Sequence, residues 1–534
     1  MQYRLAIIVF NWCLCWSAQA SNLYDLVIHS GRVIDPETHL DAIRDIGIKN
    51  GSIAYVGSST VKGFQEIDAR GLVVAPGFID IHHHAPYVAS HWMSAYDGVT
   101  TALELELGSL PISAAYDLAQ TRKLPLNYGF ASAWGLARMS VMSGVKIDGD
   151  TEIAFLNFAL PGWGNPANAE QLKDILRLTD QGIREGGIGI GIPLGYAPRT
   201  DRAEYLALAR LAVKYNVPTF THMRSKYPWT PDGKDTAEEG TKEILDVAAQ
   251  TGAHVHICHI NSSLLRSIST VAPLISSAQK RGKRGRITTE AYPWGAGSTA
   301  IGSAFLAPEK LSYFPITPQD IYWVPENRSV LDVAELLNIR TSVANGGLGR
   351  GGDVCVTHYL YEDKDEDRAV LDAAVLFPDA AIASDTMPYQ VGKNKIMDDT
   401  WPLPADAYSH PRSAATFTRM LGEYVREKGT ISLMEVIRRS SLLPAQIIEK
   451  AAPMAKLKGR IKIGADADLA IFDPSKVNGQ ATYSLTDGNR TPSIGMQYVI
   501  VNGQFVIKDG LLERGNRPGK PLRGPLRHAK QPIV

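Results

Sequence analysis

Cysteine is scarce in this chain. There are four in 534 residues, and Cys13 and Cys15 fall within the first fifteen positions. Cys258 and Cys355 remain, enough for one disulfide but too few for a disulfide-built scaffold. An excess of either charge is also missing: Lys plus Arg is 55, and Asp plus Glu is 55. No global field therefore favours nucleic acid, a polyanion or a membrane surface, and a small-molecule partner is expected. A chain of this length can bury a large core and is expected to hold two or three domains.

The only processing signal is N-terminal. Arg4 forms a short basic region, Leu5 to Trp16 is apolar, and Ala18-Gln19-Ala20 fits a small-x-small cleavage site. The apolar stretch is too short to span a bilayer comfortably, so residues 1–20 read as a signal peptide. Cys13 and Cys15 would leave with it. The mature chain is expected in the periplasm or outside the cell, without a stable membrane span.

Residues 24–75 read as short strands and turns, with Asn50-Gly51 a strong hairpin signal. The C-terminal part has the same texture around Asn502-Gly503. One β-sandwich built from both ends, 21–75 with 455–534, is expected. Between them, strands alternate with helical patterns such as Arg202–Tyr215 and Thr241–Gln250. Eight strands are expected at Phe78–His84, Thr101–Leu107, Leu126–Ser132, Ile188–Pro193, Thr219–Met223, His254–Ile260, Ile287–Tyr292 and Ala381–Thr386. Eight such units over 76–454 predict an α/β fold, a (β/α)₈ TIM-like barrel. A doubly wound open sheet is the alternative. The gap between strands seven and eight is too long for a loop, and a lid or subdomain is expected near 295–350.

Pro76-Gly77-Phe78-Ile79-Asp80-Ile81-His82-His83-His84 reads as a buried strand ending in histidines. Alternation on a strand puts His82 and His84 on one side and His83 on the other. Strand five ends in His222, strand six in His259 and strand eight in Asp385. Four His and one Asp at corresponding strand ends predict a divalent-metal site. His254, His256 and Cys258 are expected to face opposite to His259, as packing residues or as supports behind the metal ligands. On strand two, Glu104 and Glu106 share a face, and two carboxylates inside a barrel need a cation or water. Glu106, nearer the strand end, is read as a metal ligand able to bridge two ions. Glu104, one layer deeper, is read as a supporting charge. An edge strand with solvated Glu stays open as the alternative.

Taken with Gly77-Phe78-Ile79-Asp80-x-His82-x-His84, these strand-end ligands resemble the amidohydrolase superfamily. Gly98-Val99-Thr100-Thr101, Thr221-His222-Met223-Arg224, Ala291-Tyr292-Pro293-Trp294 and His410-Pro411-Arg412 resemble the N-acyl-D-amino-acid deacylases (D-aminoacylases). The terminal phrase from Lys458-Gly459-Arg460-Ile461 to Leu469 fits as well, so the resemblance covers nearly the whole mature chain. That branch usually carries a Cys ligand on strand two, where this chain has Leu107. A Glu-containing strand of this kind resembles the D-glutamate deacylases of the same family. The branch also often has Lys or His just after the strand-six His, where this chain has Ile260-Asn261. Hydantoinase-like and dihydroorotase-like relatives use a carbamylated Lys on strand four, and Ile188–Pro193 holds none.

The resemblance implies one or two zinc ions and hydrolysis of a linear amide, most simply deacylation of N-acyl-D-amino acids. His222 and His259 with Glu106 would form the main metal site, and His82 and His84 with Asp385 the second. Asp385 would take the proton from water and return it to the leaving amine. A family that releases an amino acid needs a carboxylate clamp, for which Arg224 and Arg412 are candidates. Tyr196, Tyr292 and Ser298 are candidate hydrogen-bond donors to the substrate, and Trp229 and Trp294 candidate walls of an acyl pocket. Each of these also reads as an ordinary structural contact. Hydrolysis of another amide (a dipeptide, toxin or xenobiotic) and a non-catalytic metal scaffold are the competing readings.

Overall fold

The computed structural model describes residues 23–224, 226, 230, 232, 234–282, 285–342, 350–484 and 488–527. The segment expected to be a signal peptide and Trp229 lie outside the described residues.

Eight parallel strands form the barrel: Phe78–Asp80, Val99–Ser109, Asn127–Ala133, Ile190–Pro193, Thr219–His222, Val255–Ile257, Ile287–Ala291 and Ala380–Ile382. They pair in chain order from one to eight. A bridge between His83 and Thr386 joins the ends of strands one and eight. The strands are buried on both faces because helices cover the outside and side chains fill the inside, as parallel sheets require. Helices lie between them, including Arg202–Tyr215 and Thr236–Thr251. Asp235 starts the latter by accepting from the N–H groups of Ala237 and Glu238, and Gly252 ends it in a left-handed conformation.

The two ends of the chain share one nine-stranded sheet, running from Tyr24–Asp35 through Val73–Pro76 to Leu469–Phe472, Met496–Val501 and Gln504–Lys508. Asn50-Gly51 and Asn502-Gly503 both have positive φ and close tight hairpins. Ser30 and Gly31 lie inside the continuous strand Tyr24–Asp35. There the register slips against the neighbouring strand, and the Ser30 N–H donates to the Asp45 carboxylate at 2.8 Å. The slip is a β-bulge, which keeps both halves paired. Val73–Pro76 leads directly into barrel strand one. A side chain at Gly77 would collide with Thr100, so the junction needs glycine.

Between barrel strands seven and eight the chain forms a four-stranded antiparallel lid sheet from Ala296–Ala300, Val354–His358, Ile321–Trp323 and Arg328–Ser329. Cys258 and Cys355 are both buried and free: one lies in the barrel, the other in the lid.

Candidate functional site

The C-terminal strand ends bring His82, His84, Glu106, His222, His259 and Asp385 together, all buried. Glu106 lies in the middle. One of its oxygens is 3.0 Å from His222 Nδ1 and 2.8 Å from His259 Nε2. The other is 3.3 Å from His82 Nε2 and 3.6 Å from His84 Nε2. Asp385 Oδ1 stands 3.5 Å from His82 Nε2 and 3.3 Å from His84 Nε2.

Local backbone explains the convergence. Between Glu104 and Ser109 the pairing of strand two with strand three slips, and Gly108 takes a positive φ where a side chain would strike the Ala131 carbonyl. The slip releases the strand end to curl inward. His259 and Asp385 also have positive φ, at 30° and 55°. Left-handed backbone at non-glycine residues costs about 1–3 kcal/mol and concentrates at functional sites.

The left-handed turn at His259 corrects one expectation. Alternation fails there, so His256 and Cys258 point into the barrel on the same side as His259, not away from it. His256 Nε2 is 3.0 Å from Glu290, and Cys258 falls in a cluster with His82 and Glu290. Glu290 itself escaped the sequence reading. It accepts from His82 Nδ1 and from the His259 N–H at 3.2 Å. Its signal was available, since Thr288 and Glu290 share a strand face just as Glu104 and Glu106 do. Glu104 accepts from His84 Nδ1 at 2.8 Å, and from the N–H groups of Leu107 and Gly108. Ser263 Oγ lies 2.9 Å from His259 Nδ1. His83 turns outward to Ser94.

The donor set fits divalent metal. The Nε2 atoms of His82 and His84 lie 3.0 Å apart with their other nitrogens held by carboxylates, a usual arrangement for ligating histidines. His222 Nε2 is buried without a partner among the described residues. The triads His82–Glu106–His259 and His82–His84–Asp385 each keep their ligand atoms within 4.8 Å of one another. Electrostatics agree. Burial would lower His82 and His84, yet Glu290 and Glu104 raise both well above the ordinary imidazole value. Burial would raise Glu106, yet the surrounding imidazoles, His82 foremost, hold it well below the usual carboxylate range. Burial pushes His222 down to about 4. Carboxylates that draw protons onto His82 and His84 this strongly would also favour a cation there.

Arg412 is buried beside Asp385. Its Nη2 is 2.8 Å from Asp385 Oδ1 and its Nε donates to the Asp385 carbonyl at 2.6 Å, while Nη1 has no partner among the described residues. Burial would raise the Asp385 carboxyl, but the guanidinium outweighs it and keeps the group below its ordinary value. Tyr196, Tyr292 and Ser298 line the same cavity as the strand-end ligands and Arg412. Tyr196 meets Thr299 Oγ1 at 3.0 Å, Ser298 donates to the Cys355 carbonyl, and the Tyr292 hydroxyl has no hydrogen-bond partner among the described residues.

Two expectations fail here. Arg224 is engaged by Glu243 at 2.8 and 3.0 Å and by the carbonyls of Pro198 and Thr200, so its fork is saturated outside the cavity. Trp294 faces away from the site: its indole N–H donates to the Ala415 carbonyl and its ring carries Arg419. The sequence reading also missed Lys226, which lines the cavity with Phe155, Phe305 and Tyr359. Burial pushes its ammonium down to about 7.

No protein-family model matches the chain. Among curated proteins, it is 28% identical to an N-acyl-D-glutamate deacylase of Alcaligenes xylosoxydans xylosoxydans, over 93% of this chain and 96% of that protein. A D-aminoacylase of the same organism is 25% identical over 92% and 96%. Among solved structures, the N-acyl-D-glutamate deacylase of Bordetella bronchiseptica, complexed with zinc and a phosphonate inhibitor, superposes with a TM-score of 0.70. It is 23% identical, covering 94% of this chain and all of that one. A D-aminoacylase structure described as defining a subset of amidohydrolases matches equally well at 22% identity.

Proposed function

We infer that this chain is a metal-dependent amidohydrolase resembling the N-acyl-D-amino-acid deacylases, and that it hydrolyses the linear amide of an N-acyl amino acid. The observation that carries this is the convergence of four imidazoles on Glu106, with Asp385 and its arginine on the cavity side. His82, His84, Glu106, His222 and His259 are the residues that would hold one or two zinc ions. When bound, zinc supplies a lowered water pKa, from about 15.7 towards 7, and a polarised carbonyl.

The remaining chemistry falls to side chains. Asp385, kept ionised by Arg412, takes the proton of the attacking water on its carboxylate. It then returns that proton to the departing amine nitrogen. Glu290, Glu104 and Ser263 fix the rings of His82, His84 and His259, so each presents Nε2. The unpartnered Nη1 of Arg412 and the free hydroxyl of Tyr292 are donors in want of an acceptor, and the substrate carboxylate suits both. Phe155 and Phe305 give the acyl group apolar walls and exclude water. No nucleophilic Ser is required.

Export belongs to the same proposal. It rests on Arg4, the apolar stretch Leu5 to Trp16 and Ala18-Gln19-Ala20, and N-terminal sequencing of the mature protein tests it.

The enzymatic reading is tested by metal analysis of the purified protein together with amine release from N-acetyl-D- and N-acetyl-L-amino acids. Bound zinc with D-selective release is the expected result. Bound zinc with no release from any compound would move the activity to another amide. Failure to take up metal on reconstitution would undo the reading.

A further inference from the structure

Bulky apolar side chains usually fill the interior of a barrel of this kind. Beneath the strand-end ligands, this one carries a column of polar groups instead. His82 Nδ1 donates to Glu290 Oε1, and the His259 N–H donates to the same oxygen at 3.2 Å. One carboxylate oxygen therefore holds a ring from barrel strand one and a backbone turn from barrel strand six. The other oxygen, Oε2, meets His256 Nε2 at 3.0 Å. His256 Nδ1 lies 2.9 Å from Thr288 Oγ1, and His254 Nε2 lies 2.9 Å from the same hydroxyl. His82, His256 and Glu290 are at most 1% exposed. Strand pairing builds the column. His256 is the partner of Thr288 across strands six and seven. Alternation puts Glu290 on the same face two residues further along. One imidazole can then span both, with Nδ1 on the hydroxyl opposite and Nε2 on the carboxylate one layer up. Phe220 of strand five packs against that ring, with centroids 5.3 Å apart.

The order of the hydrogens follows from the acceptor at the top. A carboxylate only accepts, so His82 Nδ1 and His256 Nε2 both carry hydrogen. In the neutral ring, His256 Nδ1 then accepts from the Thr288 hydroxyl, whose oxygen accepts from His254 Nε2. Every donor in the column points towards Glu290, and bonds aligned in this way strengthen one another. The terminal torsion of a glutamate is soft, so a carboxylate held through one oxygen alone can swing. The bond to Oε2 stops that swing, and its loss would leave a buried acceptor unpaired. We propose that His256 is a positioning residue for the metal site, locking the Glu290 carboxylate so that His82 and His259 are aimed together. This rests on the metal-dependent reading and deepens it.

The test is competition for zinc between a chromogenic chelator and the protein, in the wild type, H256L, H256Q and T288V. His256 stands one bond further from the metal than Glu290. H256L should therefore weaken zinc binding by about 10-fold, the lower end of what partners behind metal ligands contribute. H256Q keeps an N–H for Oε2 and should recover most of that loss. T288V removes the hydroxyl behind Nδ1 and should show a smaller loss in the same direction. The visible bands of the cobalt-loaded protein should shift in H256L and return towards the wild type in H256Q. A residue that merely filled the barrel would lower the melting temperature and leave zinc affinity and the cobalt bands in place. Unchanged affinity and bands in H256L would overturn the proposal, and so would an H256Q variant as weakened as H256L.

Should H256L fail to fold, nitrogen NMR of the wild type decides together with T288V. A His256 ring with hydrogen on Nε2 is the expected result, and a bare Nε2 would overturn the proposal. The two readings fail separately. Tight zinc binding that is indifferent to residue 256 would remove the positioning role alone. A wild type that takes up neither zinc nor cobalt would remove the metal-dependent reading, and the positioning role with it.

Discussion

At the N-terminal end of the barrel, Lys458 donates to Asp466 at 2.9 Å and to Asp468 at 2.6 Å. Asp468 also accepts from the Asn502 N–H and from Asn127 Nδ2, and Asn502 Nδ2 donates in turn to Asn127 Oδ1. At the C-terminal end, four imidazoles crowd Glu106, and His222 Nε2, Arg412 Nη1 and the Tyr292 hydroxyl are left without partners. Both clusters are buried and charged. The first is closed on itself and fastens the terminal sheet to the first barrel strands. The second withholds its last bonds. Buried atoms without partners also occur elsewhere in the fold, but these three line the cavity beside the strand-end ligands, where a bound ligand can complete them. The comparison predicts that damage at the two ends will separate, with activity lost at one and stability at the other.

The largest effect should come from removing metal. Dialysis against a strong chelator is expected to abolish amine release and lower the apparent melting temperature, with both restored by zinc. Full activity in protein shown to be metal-free would remove the distinction between the two clusters. Next comes Asp385→Asn. Loss of general acid–base transfer is worth about 10²–10⁴-fold in kcat, and the variant is expected to keep the metal held by Glu106, His222 and His259. An unchanged kcat would assign the proton transfer elsewhere. Smaller again is Glu290→Gln, which leaves the ligands intact but loosens His82 and His259. Partners behind metal ligands typically contribute about 10–100-fold in affinity or activity, so competition with a chromogenic chelator should show weakened zinc binding of that order.

Much of this contrast could be read from the sequence, and the residues that could not be read share a cause. His82, His84 and the eight strands follow from period-two alternation and repeated strand–helix units. Alternation misled at strand six, because the left-handed turn at His259 resets the face after Ile257. It also went unused at strand seven, where Glu290 has the pattern already recognised at Glu104 and Glu106. Arg224 and Arg412 both follow a strand-end or motif histidine, and nothing in their neighbours says which one finds a carboxylate waiting. Glu243, which saturates Arg224, is 19 residues away on the next helix. The aromatic surroundings of Lys226 come from Phe305, Phe314 and Tyr359, an inserted segment whose docking no local pattern announces. Local periodicity thus reports strands and the ligands on them, whereas pairing across the fold decides which charges are satisfied.

The smallest functional effect, and the sharpest structural one, is expected at the other end of the barrel. Lys458→Met leaves Asp466 and Asp468 facing each other without their cation. Breaking a buried pair by deleting one partner costs about 3–5 kcal/mol. Burial alone would lower the Lys458 pKa, but Asp468 and Asp466 outweigh it and raise the group above its ordinary 10.5. A raised folded pKa means a stabilisation fully present below the unfolded value and lost only as pH rises through the folded one. The penalty for Lys458→Met should therefore be the same at about pH 6 and about pH 9 by linkage. Denaturant melts at those two pH values check this, with kcat on the preferred substrate measured alongside. A penalty that vanished at the lower pH would show that the aspartates, not the lysine, set the stability of the junction. A loss of kcat comparable to that of Asp385→Asn would show that the two ends of the barrel do not act separately.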